Sequence, residues 1–329
     1  MSAAAWVAGA LVLALVLYAL GGGADFGGGV WDLLASGARA DRQRATITHA
    51  IGPIWEANHV WLILCVVLLF TCFPAAFAAV GTALHIPLTI LLVGIVLRGS
   101  AFVFRSYGLE PDRAQARWGR VFAIASLVSP LMLGVVVGAI ASGTLSVDVA
   151  SGRVRTDFVS AWLAPFPFAV GAMALGLFAY LAAVYLTLES EDEDLRDDFR
   201  RRAIVAWGAS AALAILTLLL ARRGAPAVYG GLLRHLWLLA ATAIASVAAL
   251  WALARRRYAT ARALAALQVA LTVGGWGLAQ FPALVPPDLT IANAAAPAPV
   301  LDAVLWALAF GALLLFPALY YLFRVFKAR

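Results

Sequence analysis

Long apolar stretches dominate the chain, and short segments that carry the charged residues separate them. A stretch of about 20 mostly apolar residues is long enough for a helix to cross the hydrocarbon layer of a membrane. The sequence therefore predicts an all-α integral membrane fold of nine transmembrane helices in bundles. The predicted spans are 4–33, 50–73, 79–104, 119–142, 158–187, 203–221, 232–254, 263–284 and 301–323.

The composition agrees with this pattern and excludes several classes of protein. Hydrophobic residues make up 64% of the 329 residues and charged residues 12%. An ordinary soluble domain is about half apolar and about a quarter charged. An ordinary soluble enzyme, a disordered chain and a nucleic-acid-binding protein are therefore excluded. The net charge of +7 does not imply a nucleic-acid partner, because basic residues of membrane proteins concentrate in cytoplasmic loops.

Basic residues are distributed unequally between the two ends of the predicted helices. The segments after spans one, three, five and seven, together with the C-terminal segment, hold 18 of the 24 basic residues. Such segments stay in the cytoplasm. We therefore predict an outside N-terminus and a cytoplasmic C-terminus. Because all loops are short, we expect residues 1–329 to form a single polytopic membrane domain without an extramembrane domain.

Four of the ionisable residues inside the predicted spans stand out: Asp25, Glu56, His85 and Arg98. Such residues are costly at membrane depth, so Asp25, Glu56 and Arg98 are candidates for a functional site, whereas His85 is expected to be a packing residue.

Asp25 lies in a glycine-rich stretch of span one, where small residues allow another helix to approach closely. Gly27, Gly28 and Gly29 are the predicted helix-contact residues. We expect this stretch to contact a second subunit.

Asp25 and Glu56 are predicted at similar depth, about 12 Å and about 9 Å from the cytoplasmic ends of their spans. His59 follows Glu56 by three residues and shares its helical face. Asn58 and His59 could extend a hydrogen-bonded chain from these acids. Two interpretations stay open: a route for protons from the cytoplasm, or a structural buried acid paired with Arg98 or a histidine.

The chain offers few ligands for metals. Its two cysteines, three methionines and four histidines show no spacing of a metal site or of converging haem ligands. We predict that the chain itself binds no metal and no haem.

Several separate motifs carry a resemblance to a known family. They are ADFGGG at 24–29, IGPIWEANHVW at 51–61, RGSAF at 98–102 followed by Arg105, and FPALVP at 281–286 followed by Leu289 and Thr290. In this order, on a nine-span chain, they resemble subunit II of cytochrome bd-type quinol oxidases, including the cyanide-insensitive branch. The resemblance runs along most of the chain.

The resemblance implies a partner, subunit I, that carries haem b, haem d and the quinol site. The complex oxidises quinol and reduces O2 to water in the bacterial inner (cytoplasmic) membrane. Subunit II has the nine-helix fold, holds no haem ligands, and in some members lends a proton route at the positions of Asp25 and Glu56. Membrane lipid and a small single-span subunit are further candidate partners.

The sequence departs from the family pattern at three positions. Val103 stands where some members have an acidic residue, so a route that needs this acid would be shorter or absent here. Glu56 replaces an aspartate of the best-studied branch, and His59 replaces a glutamine.

Two other functions stay open at this point. One is a secondary transporter with a polar site around Asp25, Glu56 and Arg98, although the second half of the chain lacks a matching broken helix. The other is a purely structural membrane scaffold.

Overall fold

The computed structural model of the protein describes residues 2–52, 55–107, 112–149 and 153–327. Thirteen α-helices make up most of this part of the chain. In chain order they are α1 (Ala3–Leu20), α2 (Gly22–Leu33), α3 (Ala40–Ile51), α4 (Trp55–Cys72), α5 (Pro74–Ala83), α6 (His85–Tyr107), α7 (Asp112–Ser142), α8 (Pro165–Glu189), α9 (Glu193–Gly224), α10 (Pro226–Arg234), α11 (Leu236–Ala254), α12 (Tyr258–Gln280) and α13 (Ala298–Lys327).

Within the described ranges, nine helical segments are long and apolar enough to cross a membrane. They are Ala3–Leu33, Trp55–Cys72, His85–Arg105, Arg117–Ser142, Pro165–Glu189, Glu193–Gly224, Leu236–Ala254, Tyr258–Gln280 and Ala298–Leu322. Each coincides with one predicted span, so the number and order of the spans are confirmed.

The boundaries differ where glycine or proline interrupts an apolar stretch. The first span is divided at Gly21 into α1 and α2. The second span begins at Trp55. Ile51, which was predicted to belong to this span, is the last residue of the separate helix α3. Pro53 and Ile54 of the second motif lie outside the described residues.

Two short antiparallel ribbons add strands to the predicted all-α fold. Strand β1 (Val147–Asp148) pairs with β2 (Arg153–Val154), and β3 (Ala283–Val285) pairs with β4 (Leu289–Thr290). The eighth span was predicted to end at 284, but its helix ends at Gln280. The prolines that follow cannot extend a helix, and the backbone forms a ribbon instead.

Helix α8 is the most enclosed of the spans and packs against α2, α7 and α9. Small residues make these approaches possible. A Cβ added to Gly134 of α7 would lie 2.6 Å from Cα of Gly171, and one added to Gly138 would lie 2.7 Å from Cα of Pro167. Gly134 and Gly138 therefore lie on the face of α7 that contacts α8. Helix α13 is peripheral, since only 6% of the residues in its most apolar stretch are buried.

Candidate functional site

A buried polar cluster joins four helices near the glycine-rich stretch. Asp25 of α2 is 4% exposed and accepts a hydrogen bond at Oδ2 from Nδ2 of Asn58 on α4, at 2.8 Å. Arg98 of α6 is 1% exposed and donates from Nη2 to the backbone carbonyl of Asp25 at 3.0 Å. Its Nε donates to Oγ of Ser126 on α7 at 3.2 Å. Asp25, Asn58 and Arg98, three of the five polar candidates for the site, therefore meet at one place.

The guanidinium of Arg98 lies between two aromatic rings. Its central carbon is 4.9 Å from the ring centroid of Phe26 and 5.2 Å from that of Phe122. Aromatic faces attract a cation, most strongly where water is excluded. The negative charge of Asp25 also attracts this cation. Arg98 is thus held by hydrogen bonds and two aromatic rings, and it lies close enough to Asp25 to be attracted by its charge.

Glycines around Asp25 create the space that the cluster needs. A Cβ on Gly21 would lie 2.6 Å from Oδ1 of Asn58, so the absence of a side chain there admits the amide that reaches Asp25. A Cβ on Gly27 would overlap the backbone carbonyl of Phe178, and one on Gly29 would overlap Ser126.

Gly28 faces the side chain of Ile51 in α3. A Cβ added to Gly28 would lie 2.6 Å from Cδ1 of Ile51. All three predicted contact glycines are therefore buried against helices of their own chain. The expected contact of this stretch with a second subunit is corrected accordingly. The close approach predicted from small residues occurs, but within the chain.

His59 lies beside the cluster on α4. Its Nδ1 is 3.4 Å from the hydroxyl of Tyr18, which the sequence analysis did not single out. The rings of Tyr18, Phe26 and Trp55 stand 5.8 Å, 5.9 Å and 6.2 Å from the imidazole, centroid to centroid. The imidazole is thus in contact with both α1 and α2, at the edge of the Asp25 cluster.

Glu56 points away from the cluster. It is exposed, and it forms no hydrogen bond or ion pair with the described residues. The interpretation of Glu56 as a buried partner of Arg98 is therefore corrected. Glu56 and Asn58 are two residues apart on α4, a spacing that turns their side chains to different faces of a helix. Val103, at the position of the missing acid, is 42% exposed.

A second acid–base pair extends the cluster by two helical turns. Both carboxylate oxygens of Asp32 accept from Arg105, at 2.8 Å and 2.9 Å, and Asp32 is 4% exposed. In the sequence, Arg105 stands out only as part of a motif, and Asp32 is not among the candidate residues. The signal was the shared spacing, because Asp32 follows Asp25 by seven residues and Arg105 follows Arg98 by seven.

The histidines do not form a haem-binding arrangement. His49 and His85 are exposed, and His85 bonds the backbone carbonyl of Thr82 at 3.0 Å. Across the described ranges, no group of three or more His, Cys, Asp or Glu residues could hold a metal ion.

Comparison with known proteins decides the family. A family model described as cytochrome bd terminal oxidase subunit II matches residues 3–326. The chain belongs to this family. The resemblance drawn from the motifs is thereby confirmed.

Relatives extend the comparison to individual subunits II. The chain is 29% identical to cytochrome bd-I ubiquinol oxidase subunit 2 of Escherichia coli over 180 residues, which is 54% of this chain and 47% of that protein. The matched region thus spans about half the length of the E. coli relative. The chain is also 22% identical over 322 residues to a Bacillus subtilis protein named as a cytochrome bd menaquinol oxidase subunit II. The match covers 94% of this chain and 91% of the B. subtilis protein.

A solved structure matches the fold from end to end. The bd oxidase from Geobacillus thermodenitrificans contains a chain that is 24% identical, with a TM-score of 0.83 and full coverage of both chains. The chain is thus a member of the cytochrome bd terminal oxidase subunit II family, with nine apolar helical segments in its described ranges that are long enough to cross a membrane.

The transporter alternative receives no support from the comparisons or from the geometry. Asp25 and Arg98 are buried, whereas Glu56 is exposed, so the three residues do not line one substrate site.

Proposed function

We propose that the chain is the non-haem subunit of its oxidase and supports a haem-bearing subunit I, which oxidises quinol and reduces O2 to water. The match to the family over residues 3–326 carries this proposal. Haem b, haem d and the quinol site belong to subunit I, and this chain supplies no catalytic residue. Its residues 1–329 form a single polytopic domain, an arrangement supported by a hydrophobic core that extends from Tyr18 to Val269.

An exposed stripe on α4 supports the assignment of a partner subunit. Glu56, Val60, Ile63, Val67 and Phe70 are all exposed, at alternating spacings of four and three residues. This spacing places side chains in one line along a helix, as in helices that pack against a neighbour. A carboxylate facing hydrocarbon would be costly. We therefore propose that subunit I covers this stripe.

Helix α13 continues the same surface. The rings of Trp61 on α4 and Phe316 on α13 are 6.4 Å apart, so the two helices are neighbours. Trp306, Phe310 and Leu314 of α13 are 66%, 63% and 77% exposed. An apolar surface of two adjacent helices agrees with a broad contact to subunit I.

The proposed proton route has a buried end at Asp25 and an exposed end at Glu56. Asn58 holds the carboxylate of Asp25, and His59 lies one turn beyond Glu56 on the same helix. Imidazole and carboxylate groups can each accept and donate a proton. In this proposal, Glu56 exchanges protons across the surface that subunit I covers.

A spectrum tests the assignment as a non-haem subunit. The complex with subunit I should show haem b and haem d absorbance, whereas this chain alone should bind no haem and show no redox activity. A stoichiometric six-coordinate haem spectrum from the isolated chain would contradict the proposal. Absence of haem from material that contains both subunits would contradict it as well.

Substitution of Glu56 tests the proton route. Glu56→Gln should slow quinol-driven O2 reduction while leaving haem content unchanged, and Glu56→Asp should retain most of the rate. Val60→Ala, one turn away on the same exposed stripe, is the matched control and should leave the rate intact. Loss of haem from the Glu56→Gln complex would indicate a structural role, and full turnover with full haem content would exclude both roles.

We also propose an outside N-terminus and a cytoplasmic C-terminus in the bacterial inner membrane, on the basis of the arginine distribution. Single cysteines introduced at Ser36 and Ser160 can be tested with a membrane-impermeant thiol reagent. In cells whose outer barrier has been opened, the reagent should label Ser160→Cys and leave Ser36→Cys unlabelled. The reverse pattern would invert the topology.

A further inference from the structure

A polar cleft of about 320 Å³ lies where the α2–α3 connection meets the start of α9. Three guanidinium groups and one carboxylate line it, together with small residues of the connection. The lining residues are Ser36, Gly37, Ala38, Arg39, Gln43, Asp198, Arg201 and Arg202. The proposed function leaves this cleft without a role.

Part of the lining forms a fixed network. Arg39 binds both oxygens of Asp198, at 2.7 Å and 2.8 Å, and Gln43 donates to the same carboxylate at 2.9 Å. Arg202 donates to Oε1 of Gln43 at 2.7 Å and to the backbone carbonyl of Leu34 at 3.2 Å. Asp198 is therefore committed to Arg39 and Gln43, and the positive charge of the cleft exceeds its negative charge.

Arg201 supplies the available cation. It is exposed and forms no hydrogen bond or ion pair within the described part of the chain. Nearby acids already have other partners, since Asp192 pairs with Arg42, and Asp197 pairs with Arg256 at 2.9 Å. A guanidinium beside a prearranged cationic network is suited to a phosphate group, which it can bind through two parallel hydrogen bonds.

The predicted start of the sixth span at residue 203 puts the cleft near the level expected for lipid phosphates. Arg201 and Arg202 directly precede the predicted hydrocarbon span of α9, on the arginine-rich side of the protein. Leu33 and Leu34 are 43% and 52% exposed, and the carbonyl of Leu34 contacts Arg202. An apolar edge next to a cationic cleft at the ends of membrane helices is the arrangement that binds anionic lipid headgroups.

We propose that this cleft binds a phosphate-bearing anion, supplied by an anionic phospholipid of the surrounding leaflet. Arg201 contacts the phosphate, Arg39 and Arg202 provide the fixed positive field, and Leu33 and Leu34 contact the acyl chains. The bound lipid thereby bridges the α2–α3 connection and α9.

Native mass spectrometry of the full-length chain tests the proposal. The chain is purified in a neutral detergent with any subunit that stays bound, stripped of lipid, and titrated with dioleoyl phosphatidylglycerol. Two further titrations use dioleoylglycerol, which has the same acyl chains without phosphate, and inorganic phosphate. Arg201→Gln is the test variant, because Arg201 is exposed and has no hydrogen bond or ion pair with the described residues. Arg223→Gln is the matched control, since Arg223 is exposed near the other end of the same helix.

Arg201→Gln should weaken phosphatidylglycerol binding by about threefold to tenfold, the effect of losing one ordinary solvent-exposed hydrogen bond. Arg223→Gln should leave it unchanged, and Arg201→Lys should retain part of it. Binding of inorganic phosphate that depends on Arg201, without binding of phosphatidylglycerol, would support the anion site with a soluble source. Equal phosphatidylglycerol binding by wild type and Arg201→Gln would overturn the proposal, as would equal binding of dioleoylglycerol.

Discussion

Asp32 and Arg105 form a two-point carboxylate–guanidinium pair, with N···O distances of 2.8 Å and 2.9 Å, between α2 and α6. The pair lies two helical turns beyond Asp25 and Arg98 on the same two helices. The ring of Phe122 is near both guanidinium groups, at 5.2 Å from Arg98 and 5.9 Å from Arg105. The polar contacts between α2 and α6 therefore form two layers rather than one isolated site.

Removing one member of the Asp32–Arg105 pair should strongly destabilise the chain. The Asp32 side chain is 5% exposed and that of Arg105 19% exposed, so Arg105→Gln leaves a nearly buried charge without its partner. We expect a loss of about 3 kcal/mol in the free energy of unfolding, measured by thermal denaturation of the purified protein. The surface pair of Arg155 and Asp148 is the control, where Arg155→Gln should cost under about 1 kcal/mol. Equal losses in both variants would contradict the structural role of the buried pair.

The glycines of α2 should differ sharply in their tolerance of a methyl group. Gly27→Ala should destabilise the contact of α2 with α8, because the new Cβ would overlap the backbone carbonyl of Phe178, which cannot rotate away. Gly28→Ala should be milder, because the tip of the flexible Ile51 side chain faces it. Gly9→Ala in α1 is the control, as no atom lies within 4 Å of its added Cβ. The yield and melting temperature of the folded protein measure this order. An equal effect of Gly27→Ala and Gly9→Ala would refute it.

Arg98 should not be replaceable by lysine. A lysine keeps the charge, but its compact ammonium cannot reach Ser126 and the Asp25 carbonyl while also covering two rings. We expect Arg98→Lys to lower the melting temperature and Arg98→Gln to lower it further. For Arg98→Gln, the free energy of unfolding should fall by about 3 kcal/mol or more. Asp25→Asn combined with Arg98→Gln should recover part of this loss, because it removes the uncompensated carboxylate. Strictly additive losses would show that the two residues are not coupled.

The α4 stripe should be specific in its contact with subunit I. Ile63 on α4 and Ile215 on α9 are 60% and 61% exposed, which makes them a matched pair. Ile63→Gln should reduce the amount of subunit I that co-purifies, whereas Ile215→Gln should not. Equal recovery of subunit I with both variants would place the contact on another face.

The sequence by itself determined the number and order of the membrane spans, because a helix in hydrocarbon must be long and apolar and satisfies its own backbone hydrogen bonds. It also determined the family, since the motifs around Asp25, Glu56 and Arg98 are local in the chain. The sequence predicts only in outline that Asp25, Asn58 and Arg98 meet, because polar side chains are costly at membrane depth and tend to pair with one another.

Only the tertiary structure decided which way these side chains point. Asp25 lies inside the bundle and Glu56 outside. The direction of Glu56 depends on how α4 is rotated about its axis relative to its neighbours, and the hydropathy of the sequence does not reveal that rotation. The partners of the glycines were equally undetermined, because a small residue permits close approach by any helix. Asp32 was overlooked because its partner, Arg105, is 73 residues away, and a pair so distant in the chain forms only when the helices pack.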